Sequence, residues 1–217
     1  MHDQRADSTS VPSATDQRRR GLSTLGHPYV TGTVIGAIGA SVFVLSNLGL
    51  LAPPWPSIAL GGYLAALGWY LWTVFMRPRV LPVPQFRRGA GWIYLASVIA
   101  MIVGILLGRT GLEGIGRLDL AAAFIAALVG LHFIPFGYAF RAPVFYLLGS
   151  SLAVLGVVGV LLGALVGGSV AAGSAVLCGI VMLALMGWDA WRPVGAAPTT
   201  ERGGVRMENH RPHGRPA

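Results

Sequence analysis

The chain has 217 residues, of which 54% are hydrophobic and 11% are charged, and its mean hydropathy is +0.65. Since soluble domains carry about 25% charged residues, this composition excludes a soluble globular fold and predicts a bundle of bilayer-spanning helices. The formal net charge is +8, and the single cysteine, Cys178, excludes an internal disulfide and a cysteine zinc cluster.

Six apolar segments lie between two polar tails. Residues 1–24 and 194–217 are polar and are predicted to be disordered. About 20 helical residues cross a hydrocarbon core of ~30 Å, and each apolar segment is close to that length. We therefore predict an all-α membrane protein whose transmembrane domain, residues 25–193, is a bundle of six transmembrane helices in three helical hairpins. The predicted helices cover residues 31–51, 57–76, 91–108, 120–140, 143–167 and 170–188.

Arginines are distributed unevenly over the predicted loops. All 16 basic residues are arginine, a usage that favours a GC-rich bacterial genome. Fourteen lie in the tails, in the loops after helices 2 and 4 and just after helix 6, and two, Arg109 and Arg117, lie in the loop after helix 3. The positive-inside rule then predicts a protein of the bacterial plasma membrane with both termini in the cytoplasm. No aromatic or fold motif accompanies the arginines, which argues against nucleic-acid binding. Those expected to meet anionic lipid headgroups include Arg18, Arg19, Arg20, Arg77, Arg79, Arg87, Arg88, Arg141 and Arg192.

Glycines recur at every fourth position on three of the predicted helices. Such stripes let helix backbones approach closely in lipid, so we predict that they are packing faces. A sliding or gating interface is the functional alternative. Gly167 and Gly168 also interrupt the apolar stretch 143–188, which predicts a tight turn between helices 5 and 6. The stripes are Gly159, Gly163 and Gly167 on helix 5, Gly32 and Gly36 on helix 1, and Gly104 and Gly108 on helix 3.

His132 is the only histidine within a predicted span, and it lies near the middle of helix 4. Ionisable groups at this depth are candidates for function. Pro135 has no N–H, so it frees the carbonyl of Leu131 and is expected to leave an acceptor beside the histidine. The structural alternative is that the His132 ring ties helix 4 to a neighbouring helix by one hydrogen bond.

The stretch "GLHFIPFGYAFRAPVFYLLGS" resembles the fourth-helix region of a group of small bacterial (actinobacterial) multi-pass membrane proteins of unassigned activity. They share a His-Phe-(Leu/Ile)-Pro motif, and the likeness is most specific over residues 130–149. The resemblance implies that His132, Phe133 and Pro135 matter to the group. It brings no activity, cofactor or partner with it.

Catalytic motifs are missing from the sequence. There is no P-loop, HExxH, GxSxG or pair of carboxylates within the spans, so we predict neither enzymatic activity nor a cofactor or metal site. One hypothesis is binding or transport of a neutral or lipid-like molecule in a cavity near the midplane. It would be lined by His132, Phe133, Pro135 and polar groups of helix 1 such as Ser46 and Asn47. The other hypothesis is a structural, accessory or sensory membrane component that acts through protein partners, with self-association as a further option.

Overall fold

The computed structural model describes residues 18–19, 28–77, 79–80 and 87–192. It is an all-helical protein with six helices that are long and apolar enough to cross a membrane, which confirms the predicted fold class. The predictions for the tails lie outside the described residues, apart from Arg18–Arg19. These two residues pair antiparallel with Arg79–Val80 as two-residue strands, β1 and β2.

The six helices begin and end close to the predicted positions. A 3-10 turn at Leu48–Leu50 follows the first helix, and another at Leu118–Leu120 precedes the fourth. The second helix continues into one turn of π-helix, Trp72–Met76. The helices are α1 (Pro28–Leu45), α2 (Trp55–Leu71), α3 (Ala90–Gly114), α4 (Ala121–Ala139), α5 (Val144–Val166) and α6 (Gly168–Trp191).

One helix end differs from the prediction, and one predicted turn is present. α3 continues to Gly114, so Arg109 and Glu113 lie in its last turns and not in a loop as predicted. A long arginine stem can lie along apolar surface while its guanidinium reaches the headgroup region, so a charge near the end of a span does not break the helix. The predicted tight turn is present, because Gly167 alone separates α5 from α6, with φ of 131°.

α6 occupies the centre of the bundle. It packs against α1, α2, α4 and α5, whereas α3 packs mainly against α4. In the most apolar stretch of α6, 56% of the residues are buried, compared with 6% in α3. The hairpin of α1 and α2 is open, since each of these helices packs more closely on α6 than on the other. The molecule is therefore less regular than three equivalent hairpins.

The closest approach in the bundle is between α4 and α5. A Cβ atom on Gly130 would meet the backbone of Ala153, and one on Gly156 would meet the backbone of Ala127. These two helices therefore touch backbone to backbone, as small residues permit in a membrane. No glycine stripe was predicted at this contact.

Of the seven glycines in the predicted packing stripes, five lie at contacts between helices and two do not. Gly159 and Gly163 of α5 face α6, where their neighbours include Ser174 and Ala171. Gly36 faces methionines of α6, and Gly104 and Gly108 face side chains of α4. Gly32 and Gly167, in contrast, have no neighbour within 4 Å among the described residues.

Candidate functional site

The His132 ring is bonded within its own helix. Its Nδ1–H donates to the carbonyl oxygen of Val129, 2.5 Å away. A carbonyl can only accept, so Nδ1 carries the hydrogen and Nε2 is left as the acceptor of the ring. The prediction that Leu131 would offer the acceptor is wrong. A helical side chain points back towards the N-terminus of its helix, and from position 132 this direction leads to the carbonyl three residues earlier.

The tie between α3 and α4 is made by the backbone of His132 and not by its ring. The hydroxyl of Ser97 on α3 donates to the carbonyl oxygen of His132 over 2.9 Å. Pro135 lies in the same turn, inside a helix that continues past it to Ala139. The histidine therefore takes part in a packing contact, as the structural alternative proposed, but through a different atom.

Aromatic side chains fill the space around His132. The ring centroid of His132 is 4.2 Å from that of Phe133 and 5.1 Å from that of Phe136. Phe133 stacks on Phe145 of α5 with the rings 10° from parallel, and Phe136 stacks on Tyr94 of α3. The His132 ring is therefore packed against aromatic side chains of its own helix, which in turn contact α3 and α5.

Asn47 lies far from His132. It is buried in the turn after α1, and its Nδ2–H donates to the carbonyl oxygen of Phe43 over 2.9 Å. α1 ends at the face where α4 begins, and His132 is 11 residues past the start of α4, or about 17 Å along the helix. The residues of the predicted site therefore divide into one group on α4 and a pair just past the end of α1, Ser46 and Asn47, within the first candidate span.

A groove opens between α1 and α2, where these helices separate. Its volume is about 500 Å³, and His132 is not among the residues that line it. On α1 it extends from Val34 to Leu45, about 17 Å along the helix axis, or roughly half of a ~30 Å hydrocarbon core. The lining residues are Val34, Ala37, Ile38, Ser41, Val42, Leu45, Ser46, Leu67, Tyr70, Leu71 and Phe75.

The walls of the groove are apolar, and the polar group of Ser41 is already satisfied. Ser41 donates to the carbonyl oxygen of Ala37 over 2.8 Å and accepts from the hydroxyl of Tyr63 over 2.9 Å. No lining residue is charged. The groove is thus suited to an apolar chain that is recognised by its shape.

Arginines and tryptophans meet where α2 and α6 end. The Nη1–H of Arg77 donates to the carbonyl oxygen of Trp191, and its guanidinium lies 4.0 Å from the centroid of the Trp191 ring. The guanidinium of Arg192 lies 3.5 Å from the centroid of Trp188. The ring of Trp191 also packs on Trp69 and Trp72. We call these six residues the arginine–tryptophan cluster: Arg77, Arg192, Trp69, Trp72, Trp188 and Trp191.

The other predicted headgroup arginines that the structure describes lie at the same end of the bundle. The backbone N–H of Arg87 donates to the carbonyl oxygen of Ala139, and its guanidinium lies over the ring of Tyr138. Arg88 is exposed next to it, and Arg141 lies in the turn between α4 and α5 with a positive φ of 50°. Of Arg18, Arg19 and Arg79 only the backbone is described, and Arg20 lies outside the described residues.

An ion pair lies at the opposite end of the bundle. Arg117 and Asp119 are joined by two hydrogen bonds of 3.0 and 3.2 Å, and Nη2 of Arg117 also donates to the carbonyl oxygen of Gly163. The bond to Asp119 raises the pKa of Arg117 above its ordinary value. This contact ties the start of α4 to the end of α5 and neutralises one of the two arginines on that side.

Comparisons with protein-family models, with curated proteins and with solved structures find no match to this chain. The resemblance of residues 130–149 to the group of bacterial membrane proteins therefore stays a prediction. In the part of the chain that the structure describes, no three His, Cys, Asp or Glu side chains come together as ligands for a metal ion.

Sequence reasoning placed one groove residue, Ser46, in a predicted cavity, but it missed the groove itself and the arginine–tryptophan cluster. The cluster had a signal, since Trp188, Trp191 and Arg192 fall together at the end of one apolar segment. The groove as a whole had no such signal, because it forms only where α1 and α2 both pack on α6. This packing arises in the assembled bundle and is not indicated by either segment alone.

Proposed function

We propose that the protein binds or transports a lipid-like molecule whose apolar part occupies the groove between α1 and α2. The observation that carries the proposal is the groove itself, about 500 Å³ of space that two helices leave open and that is lined, within the described part of the chain, by uncharged residues. Lipid chains and apolar side chains attract each other in a membrane by close packing and not by a hydrophobic force. An apolar chain that fills the groove gains such packing contacts with both helices.

Two isoleucines on α1 provide a test of this proposal, because only one of them lines the groove. Ile38 lines the groove and Ile35 does not, while their side chains are 61% and 64% exposed. Ile38→Trp is expected to fill the groove and displace the bound molecule, and Ile35→Trp is expected to leave it in place. Native mass spectrometry of gently solubilised protein measures the bound fraction. Equal occupancy in the two variants would refute groove binding.

His132→Ala provides a second comparison in the same measurement. The groove is lined by α1 and α2, so this variant is expected to keep the bound molecule. If it lost the molecule as Ile38→Trp does, the binding place would be at α4, as the sequence suggested, and the groove proposal would be wrong.

A structural role through protein partners is the second candidate function. The observation that favours it is the environment of His132, whose ring is bonded to Val129 and packed among phenylalanines. One ring nitrogen is thereby used within α4, and the ring makes packing contacts. If the wild-type protein carried no discrete molecule, this second function would be preferred.

We also propose an orientation in the membrane. α1 begins and α6 ends on the cytoplasmic side of a bacterial plasma membrane, which the distribution of arginines favours. Ile115→Cys, at the end of α3, and Arg88→Cys, at the opposite end of the bundle, report on the two faces; both residues are exposed. In a Cys178→Ala background, a membrane-impermeant maleimide added to intact cells is expected to label position 115 and not position 88. The reverse pattern would overturn the orientation.

A further inference from the structure

The groove between α1 and α2 runs obliquely from one face of the bundle towards the other. On α1 its lining reaches Ser46, just past the end of the helix, and on α2 it reaches Phe75, in the π-helical turn that ends the second span. Because α1 and α2 are consecutive and antiparallel spans, these two ends lie near opposite faces. A single apolar chain that follows the whole groove therefore passes the middle of the membrane.

The accessible polar groups of the groove lie at one end of it. Ser41 and Ser46 both belong to the lining, in the last turns of α1 and just after them. Tyr70 also belongs to the lining, but it is 1% exposed and its hydroxyl oxygen is buried. The other lining residues are apolar. The groove thus has a polar end where α1 ends and an apolar end at Phe75.

Ser41 has one hydrogen-bonding position left, and this position is an acceptor. Its hydrogen is donated to the carbonyl oxygen of Ala37, and one of its two lone pairs accepts the hydroxyl of Tyr63. Tyr63 has in turn used its own hydrogen for this bond. At this level the wall of the groove can accept a hydrogen bond and cannot donate one. A ligand that bonds here must supply the hydrogen, as a hydroxyl group does.

Ser46 differs from Ser41 because its hydroxyl is exposed and forms no hydrogen bond within the described part of the chain. Such a hydroxyl rotates to donate or to accept, so it favours a polar group without selecting between donors and acceptors. No lining residue is charged, so an ionic group at this end would find no counter-charge in the groove. The two serines together therefore suit an uncharged polar group.

We propose that the groove ligand is an uncharged lipid with a free hydroxyl, which donates a hydrogen bond to Ser41 while its chain extends along the groove towards Phe75. The ligand enters from the leaflet on the side where α1 ends, because the polar end of the groove is there. This assignment rests on the proposed function, and it names the class of ligand and the direction in which it lies. It keeps the neutral ligand expected from the sequence and adds a hydrogen-bond donor as the feature that is recognised.

The experiment adds hexadecanol or hexadecyl methyl ether to the delipidated full-length protein and measures the bound fraction by native mass spectrometry. The two probes have the same chain, and only the alcohol can donate a hydrogen bond. The wild-type protein is expected to prefer the alcohol about threefold, since one hydrogen bond in a membrane protein is a modest interaction. Equal binding of the two probes, or tighter binding of hexadecanoate, the anion of the same length, would overturn the inference.

Two variants that break the same hydrogen bond test the role of Ser41. Ser41→Ala and Tyr63→Phe each remove the bond between α1 and α2, but only Ser41→Ala removes the acceptor. Ser41→Ala is expected to lose the preference for the alcohol, because the freed hydroxyl of Tyr63 can then donate to either probe. Tyr63→Phe is expected to keep the preference. An equal loss in both variants would mean that the preference depends on the link between the helices and not on the acceptor, and the assignment would be wrong.

Ser46→Ala distinguishes between the two serines. It is expected to weaken the binding of both probes and to leave their ratio unchanged, because the hydroxyl of Ser46 can donate as well as accept. If the preference for the alcohol were lost in Ser46→Ala and kept in Ser41→Ala, the hydroxyl of the ligand would not lie at Ser41, contrary to the inference.

Ile38→Trp separates this inference from the proposed function. If this variant releases both probes but the wild type does not distinguish them, groove binding stands and the hydroxyl site is wrong. If the variant binds both probes as the wild type does, the groove proposal fails, and the inference fails with it.

Discussion

α3 and α6 are almost equal in length and mean hydropathy, yet they lie in opposite environments. α6 is the centre of the bundle, and α3 is at its edge with most of its surface towards the membrane. In water, the hydrophobic effect would favour burial of both of two equally apolar helices in the core. In a bilayer this driving force is absent, because lipid tails are as apolar as leucine. Hydropathy therefore identifies a span and says little about its position in the bundle.

Small residues account for the difference between the two helices. α6 turns a small residue towards each of three neighbours: Gly179 to Ala40 of α1, Gly187 to Trp69 of α2, and Ala171 to Gly163 of α5. The glycines of α3 that make contact, Gly104 and Gly108, both face α4. A helix with small residues on several faces can be approached closely by several neighbouring helices. A helix with small residues on one face packs closely against one neighbour and lies at the edge of the bundle.

The largest expected effect comes from adding one methyl group to each helix. Gly179→Ala on α6 would place its Cβ 2.5 Å from the carbonyl oxygen of Ala40, and Gly111→Ala on α3 meets nothing within 4 Å among the described residues. Gly179→Ala is expected to destabilise the bundle by about 1–3 kcal/mol. Gly111→Ala is expected to be neutral or stabilising by up to ~1 kcal/mol, because alanine favours the helix. Thermal unfolding in detergent measures both changes.

The outcome that would break this comparison is a similar shift of the unfolding midpoint in the two variants. It would mean that α6 has room to move away from α1, and that central position in this bundle does not require close contact.

A smaller effect is expected at the hydrogen bond that joins α3 to the bundle. Ser97→Ala removes the donor to the carbonyl of His132, and such bonds between membrane helices are worth ~0.6 kcal/mol. Thr110→Ala is the control, since the hydroxyl of Thr110 bonds to Leu106 of its own helix. Only Ser97→Ala is expected to lower the free energy of unfolding. A larger loss in Thr110→Ala would contradict the assignment of this bond as the tie between α3 and α4.

The features that could be predicted from sequence are those that depend on one segment at a time. Six spans follow from the length of each apolar run, and the turn at Gly167 follows from a stretch too long to cross the membrane once. The end of α3 was misjudged because Arg109 looked like a loop residue, although its stem allows the helix to continue past it.

The candidate site was harder to predict because it depends on how segments combine. His132 stood out as a lone ionisable group, but the sequence did not show that one nitrogen of its ring bonds to a carbonyl of its own helix. Ile38 and Phe75 are ordinary apolar residues in the sequence, and the groove that they line exists because α1 and α2 separate. Arg77 was predicted as one of many headgroup arginines, and only the contact with Trp191 distinguishes it from the others.

The central position of α6 also affects the order of assembly, since α6 is the last of the six spans to be synthesised. Ninety-one residues lie between the end of the π-helical turn at Met76 and the start of α6 at Gly168. At 5–20 residues per second, the ribosome needs roughly 5–18 s to make them. During that time α1 and α2 are in the membrane without the helix that will hold them. Under the proposed function, a lipid can therefore enter the space between them before α6 is inserted, and binding would begin during translation.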